Sequence, residues 1–256
     1  MTRAIGSLDG RRIIVTGGAS GMGAGLVRAL PRLDAAVVSV DVAVDPGESI
    51  ARDAGAGFVA CDVADPEAVE HAFGVAVDRL GGLDVLIHAA GVAPGAPAEE
   101  IDLATWERVM RINATGTFVT NQAAFAHLRE HGGRIINFAS AAGVQGLRGK
   151  AAYSASKGAV VAWTRTVAQE WAPYAITVNA IAPAIWTPMY DKTRAAMTPE
   201  QLAAHDAFMA TAVPLGGKLG DVDQDFVPVL AFLAGEGSRF MTGQVFPVDG
   251  GTLMMR

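Results

Sequence analysis

Tyr153 and Lys157 stand four positions apart in Tyr153-Ser154-Ala155-Ser156-Lys157. On a helix, residues i and i+4 share a face, which brings the ammonium close to the phenol. A fixed positive charge favours phenolate over phenol and lowers a pKa that starts near ~10. A tyrosine tuned in this way can give or take a proton near neutral pH, which is general acid–base chemistry. The same spacing arises by chance on a solvated helix face, so its meaning depends on the residues around it.

A second chemical feature lies far upstream. Thr16-Gly17-Gly18-Ala19-Ser20-Gly21-Met22-Gly23 follows a short apolar run and opens a helical pattern. Glycines here allow a tight turn and let the backbone amides of Gly17, Ser20, Gly21, Met22 and Gly23 approach a pyrophosphate. The helix N-terminus adds N–H donors and a favourable dipole. The G-x-x-x-G-x-G spacing differs from the common G-x-G-x-x-G turn, and no G-K-[ST] follows as in a P-loop. Asp41 closes the next strand, near the ~20-residue offset at which an acidic group meets the adenosine ribose. A carboxylate accepts from both ribose hydroxyls and repels a 2′-phosphate. Its neighbours Val40, Val42 and Ala43 carry no cation, so NAD(H) is expected in preference to NADP(H). Asp62 and Val63 are placed to meet the adenine amino group and ring. At Ala89-Ala90-Gly91 small residues let backbone pass close to a cofactor.

These groups need a scaffold, and the pattern supplies one. Short β-branched runs at Arg12–Thr16, Ala36–Val40, Gly57–Cys61, Leu83–His88, Arg134–Phe138, Ile176–Ile181 and Val245–Val248 read as strands. Amphipathic stretches near Gly21–Arg32, Pro66–Leu80, Leu103–His131, Ala151–Trp171 and Asp223–Leu233 read as helices. Strands apolar on both faces belong inside a parallel sheet covered on each side. The expected fold is therefore α/β, a doubly wound Rossmann-type sheet of about seven strands in a single domain spanning residues 1–256. One long irregular connection, about 184–222, has a helical patch near Pro199–Ala212 and reads as a lid or substrate loop.

Composition narrows the class. A chain of 256 residues with 51% hydrophobic content can bury a large core. Its net charge of −6 offers no electrostatic footprint for nucleic acid. No apolar run of about 18 residues exists to span a membrane, and the N-terminal residues lack a signal-like apolar stretch. A cytoplasmic location is the expectation. The lone Cys61 cannot form an intrachain disulfide and reads as a packing residue. The five histidines show no metal-ligand spacing, so no metal is expected.

Taken in order and spacing, Thr16–Gly23, Asp41, Asp62, Ala89-Ala90-Gly91, Asn113, Ser140, Tyr153 and Lys157 resemble the short-chain dehydrogenase/reductases. The resemblance covers essentially the whole chain, down to Pro247-Val248-Asp249-Gly250-Gly251. It implies that Tyr153 is the acid/base and that Lys157 lowers its pKa and hydrogen-bonds the nicotinamide ribose. Ser140 would hold the substrate oxygen, Asn113 would anchor a water on a proton path, and Thr187, following Pro183, would hold the carboxamide. Two positions depart from the family pattern. His88-Ala89-Ala90-Gly91 replaces Asn-Asn-Ala-Gly, and Pro183-Ala184 replaces Pro-Gly.

The implied activity is interconversion of a secondary alcohol and a ketone with NAD. Val144, Leu147, Ala184, Trp186, Met189 and Tyr190 are candidates for the pocket, together with Ser140 and Tyr153. That lining favours a hydrophobic or aromatic substrate over a sugar. Two other readings are a 3-oxoacyl-thioester (acyl-carrier-protein) reductase and a non-catalytic NAD(H) sensor. A homo-oligomer, tetramer or dimer, is expected from the family and from the apolar Thr252-Leu253-Met254-Met255.

Overall fold

A computed structural model describes residues 7–254. Met255, in the apolar terminal stretch, lies outside them. Seven strands, β1 (Arg12–Thr16), β2 (Ala36–Asp41), β3 (Gly57–Ala60), β4 (Val85–His88), β5 (Gly133–Phe138), β6 (Ile176–Pro183) and β7 (Val245–Val248), form one sheet in the order β3-β2-β1-β4-β5-β6-β7. Every pairing is parallel.

Alternate strand residues feed two cores, as the two-residue period of a strand dictates. Ile13 and Val15 of β1 join Leu26, Phe226 and Leu230 on one face. Between them, Ile14 joins Val69, Phe73, Val119 and Val167 on the other. The first face is covered by α1 (Gly21–Ala29), α2 (Val44–Ala54) and α10 (Val227–Ala234); the second by α3 (Pro66–Leu80), α5 (Gly116–Leu128) and α7 (Ala151–Glu170). This is a doubly wound Rossmann fold. Strand order reverses between β1 and β4, and such a reversal opens a crevice at the carboxyl ends of the strands.

Three elements differ from the sequence pattern. Helix α2 has no counterpart there, because Pro46 and Gly47 suggest a turn. Pro46 sits in the first helical turn, where a missing N–H is tolerated. Gly47 packs so tightly on the Phe58 ring that an added Cβ would lie 2.2 Å from it. The stretch Leu103–His131 divides into α4 (Leu103–Met110), a wide π-type turn at Arg111–Thr115, and α5. The first helix is α-helical only to Ala29; Pro31 tightens Leu30–Leu33 into a 3-10 turn that ends at left-handed Asp34.

The long connection carries two helices, α8 (Pro188–Ala195) and α9 (Pro199–Ala212), neither with a buried residue. A capping box at Thr198 and Gln201 starts α9. Both ends of the connection meet at one point. Trp186 donates its amide to the Gly220 carbonyl at 2.8 Å, and Gly220 donates to Ala184 at 3.1 Å.

Candidate active site

Helix α7 carries the reactive pair. Lys157 is buried, and its Nζ donates to the Phe138 carbonyl at the end of β5 at 2.5 Å. The ammonium lies 5.9 Å from the centre of the Tyr153 ring. Burial lowers the Lys157 pKa to about 8. Tyr153 is pushed the other way: burial raises its pKa, and a hydrogen bond with Ser140 opposes that rise. Burial is the larger of these two influences, so the Tyr153 pKa lies above its ordinary value in the protein alone. Ser140 caps the short helix α6 (Ala141–Gln145), accepting from the Ala142 amide at 3.1 Å.

Asn113 lies in the π-type turn, fully buried. Its Oδ1 accepts from the Val92 amide at 2.8 Å, and its Nδ2 donates to the Val92 carbonyl at 2.8 Å and to Ser156 Oγ at 2.9 Å. The side chain thus ties the loop after β4 to helix α7. Gly91 is held small from both sides, since a Cβ there would meet Asn113 Oδ1 at 3.1 Å and Lys157 Nζ at 3.5 Å.

One cavity of about 720 Å³ opens at the carboxyl ends of the strands. Gly17, Ser20, Gly21, Met22 and Gly23 line it, as do Asp41, Asp62, Val63, Ala89, Ala90, Gly91, Tyr153, Lys157, Pro183 and Thr187. Gly17 has φ +72° and packs on the β4 turn, where a Cβ would lie 2.7 Å from the Ala90 nitrogen. The Ser20 hydroxyl does not cap α1, which leaves the first-turn amides facing the cavity. Asp41 Oδ2 accepts from the Ala19 amide at 3.0 Å and Oδ1 from Ala43 at 2.9 Å, so the carboxylate also fixes the glycine turn. Asp62 Oδ1 likewise accepts from Ala64 at 2.9 Å. The uncapped helix end, the glycine turn and a carboxylate at the end of β2 suit a dinucleotide with its pyrophosphate on α1 and its adenosine ribose at Asp41.

Comparison with known proteins agrees with this geometry. A family model described as Enoyl-(Acyl carrier protein) reductase matches residues 17–252. Trans-4-hydroxycyclohexanecarboxylate dehydrogenase of Sinomonas cyclohexanicum is 34% identical, over 98% of this chain and 96% of its own length. D-threitol dehydrogenase of Mycolicibacterium smegmatis is also 34% identical, over 95% and 93%. The crystal structure of levodione reductase superposes with a TM-score of 0.87 at 29% identity, covering 95% of this chain and 97% of that one. The chain belongs to the short-chain dehydrogenase/reductase family.

As a short-chain dehydrogenase/reductase the protein is an oxidoreductase of CH–OH groups, and the family works with nicotinamide cofactors. Of the residues expected around its substrate, Ala184, Met189 and Tyr190 line the cavity. Tyr153 does too, whereas Ser140, Val144, Leu147 and Trp186 do not. Val144 and Leu147 are exposed on α6 and the loop beyond it. Trp186 packs edge-on to Tyr190 at 4.8 Å, with the Arg194 guanidinium 5.0 Å from its ring and its Nε1 donating to Asp191 at 2.7 Å. Sequence reasoning missed Val92, Ala93, Ile185, Lys192, Thr193 and Leu219 on the cavity wall. Val92 and Ala93 directly follow Gly91, a local signal that could have found them; Leu219 is far from these motifs in sequence and adjoins Gly220, which bonds Ala184 and Trp186 across the fold.

His88, the departure at β4, is buried with Nδ1 2.9 Å from Thr16 Oγ1 and 3.0 Å from Thr120 Oγ1. It bridges β1, β4 and α5. Burial first, and the Lys157 charge second, lower its pKa to about 3, so the ring is neutral. Ala184, the other departure, turns onto the cavity wall while its amide donates to Val248 at 2.9 Å.

Proposed function

We propose that the protein interconverts a secondary alcohol and a ketone with NAD(H), using Tyr153 as acid/base. The observation that carries this reading is Tyr153 one helical turn from the buried Lys157 ammonium, both on the wall of a cavity that also holds Asp41 and the glycine turn. Nicotinamide, when bound, supplies or accepts the hydride. In the alcohol-to-ketone direction Tyr153 Oη takes the hydroxyl proton while Ser140 Oγ holds the same oxygen. In reverse, Tyr153 returns that proton to the carbonyl oxygen. The Lys157 ammonium supplies positive charge beneath the phenol, and Asn113 fixes the backbone at Val92 against α7.

NAD(H) over NADP(H) is supported by charge. Among the described residues, Lys157 and Lys192 are the only cations on the cavity wall, and neither belongs to the β2 end where Asp41 stands. A 2′-phosphate would face that carboxylate without an ion partner. Like-charge contact costs several kcal/mol, so kcat/KM with NAD⁺ should exceed that with NADP⁺ by about a hundredfold. Parity between the two would refute the assignment. Tyr153→Phe should remove hydride transfer while leaving NADH binding intact, as followed by NADH fluorescence.

Apolar Val92, Ala93, Ile185, Met189 and Leu219 support a substrate with a hydrophobic body, of the kind named for the hydroxycyclohexanecarboxylate relative. The threitol dehydrogenase points toward polyols instead. Turnover of cyclic carbinols against tetritols separates the two. A 3-oxoacyl-thioester reductase is the second reading; the matching family model, described as an enoyl-(acyl carrier protein) reductase, shares with it only the carrier-bound acyl substrate, and an NADPH-linked thioester assay would reveal it. A homo-oligomer is supported by exposed Leu103, Trp106, Phe118, Phe232 and fully exposed Phe240. Light scattering would return a monomer mass if this is wrong. No described helix is long and apolar enough to cross a membrane; a cytoplasmic location stays part of the proposal.

A further inference from the structure

Helix α8 divides its side chains between two duties. Trp186 at its entrance, Tyr190 and Arg194 follow one another at four-residue spacing and form a stack. Arg194 lies 5.0 Å from the Trp186 ring and 5.7 Å from the Tyr190 ring. Arg194 also pairs with Asp206 of α9, and Tyr190 Oη lies 2.6 Å from His205 Nε2. This stripe joins α8 to α9. Met189, Lys192 and Thr193 reach the cavity, where Tyr190 of the stripe joins them.

On that side Lys192 stands out. The Thr193 hydroxyl is committed to the Met189 carbonyl at 3.1 Å. The other cavity cation, Lys157, is buried and bonded to Phe138. Among the described residues, Lys192 has neither an ion pair nor a side-chain hydrogen bond, whereas Arg194 two positions on has both. The chain enters α8 from the end of β6, on the Tyr153 side of the β1/β4 reversal and away from Asp41 and Asp62. Apolar Val92, Ala93, Ala184, Ile185 and Met189 line the same cavity. Lys192 is exposed at the rim of the cavity, so its ammonium is free to meet an anion that enters beside the apolar walls.

We propose that Lys192 is a substrate-anion site: the alcohol or ketone carries a carboxylate on an apolar frame, away from the reacting carbon, and Lys192 holds it. This rests on the alcohol–ketone reading of the same cavity and adds the chemical class of its substrate. Lysine suits the task because its point charge sits on a flexible stem that can follow a carboxylate into place.

The test is binding of cyclohexanecarboxylate and of its methyl ester to the enzyme–NADH complex by calorimetry, alongside oxidation of the corresponding 4-hydroxy compounds with NAD⁺. Wild-type enzyme should bind the acid more tightly than the ester. Lys192→Met should weaken the acid by about tenfold, the worth of one charge-assisted hydrogen bond, and Lys192→Arg should restore most of it. The ester should shift by less than about twofold, well under that bond's worth. Equal weakening of acid and ester overturns the proposal, as does no weakening of either. A loss of NADH affinity in Lys192→Met also overturns it, assigning the ammonium to the dinucleotide phosphates. If acid binding depends on Lys192 but no carbinol is oxidised, the anion site stands and the dehydrogenase reading falls. If carbinols are oxidised with no preference for the acid, the reverse holds.

Discussion

Burying Lys157 opposes folding at neutral pH. Its pKa near 8 in the fold against about 10.5 in the unfolded chain means that the folded state binds fewer protons between those values. Stability therefore rises as pH climbs through that window, and below about 8 the buried charge costs roughly 3 kcal/mol at most. Lys157→Met should raise the unfolding free energy at pH 7 by up to that amount and lower kcat by at least about a hundredfold. Urea titrations and turnover would reveal the opposing effects; a less stable variant would contradict the account. His88 behaves differently. Its pKa of about 3 lies below the unfolded value near 6.5, so its contribution is complete above 6.5 and lost as pH falls toward 3. The loss reaches about 5 kcal/mol as an upper bound. His88→Asn should flatten stability against pH across that range, and unchanged acid sensitivity would count against it. Tyr153, Lys157, Asp41 and the glycine turn were legible in the sequence because each motif is local. The effect of Ser140 on Tyr153 was not, since it is made only when β5 and α7 meet. Lys192 reads as one more solvated lysine until α8 exists to aim it.

At the level of elements, the loop after β4 and the start of α7 are latched together. Lys150 Nζ donates to the Ala93 carbonyl at 2.6 Å, and the Ala96 amide donates to Gly149 at 3.0 Å. Ala93 lines the cavity, and Tyr153 lies in the first turn of the same helix. Lys150→Met should let this wall drift and raise substrate KM by about tenfold, as small misplacements of positioning groups do, with a smaller effect on kcat. Lys150→Arg should recover part of the loss. Faster amide exchange at Val92 and Ala96 in Lys150→Met would accompany it, and unchanged exchange would sink the idea. Strand positions and α9 were readable from periodicity and caps. Helix α2 was not, because Pro46 and Gly47 look like a turn unless Phe58 is known to pack on Gly47. The break at Arg111–Thr115 has no breaker residue; it coincides with Asn113 bonding Val92 and Ser156, contacts distant in sequence.

Across the whole molecule, the two edges of the sheet do different work. The cavity occupies the carboxyl edge, whereas ion pairs gather at the amino edge. Arg12 donates to both Asp84 oxygens, at 2.8 and 2.9 Å, and to the Gly81 carbonyl at 2.6 Å. Burial alone would raise the Asp84 pKa, but the Arg12 hydrogen bonds hold it below the usual carboxylate value. Asp84→Ala should cost about 2–3 kcal/mol of stability in urea titrations and leave kcat/KM within about twofold. An equal loss of activity would show that the two edges are coupled. The doubly wound order was predictable because alternating strands and helices admit few topologies. The clasp at Trp186 and Gly220 has an evolutionary consequence. Everything between those residues leaves and rejoins the body at a single spot, so it can lengthen, shorten or be swapped like an interchangeable cassette. Descendants of this chain could acquire new preferences there while the hydride machinery below stayed unaltered.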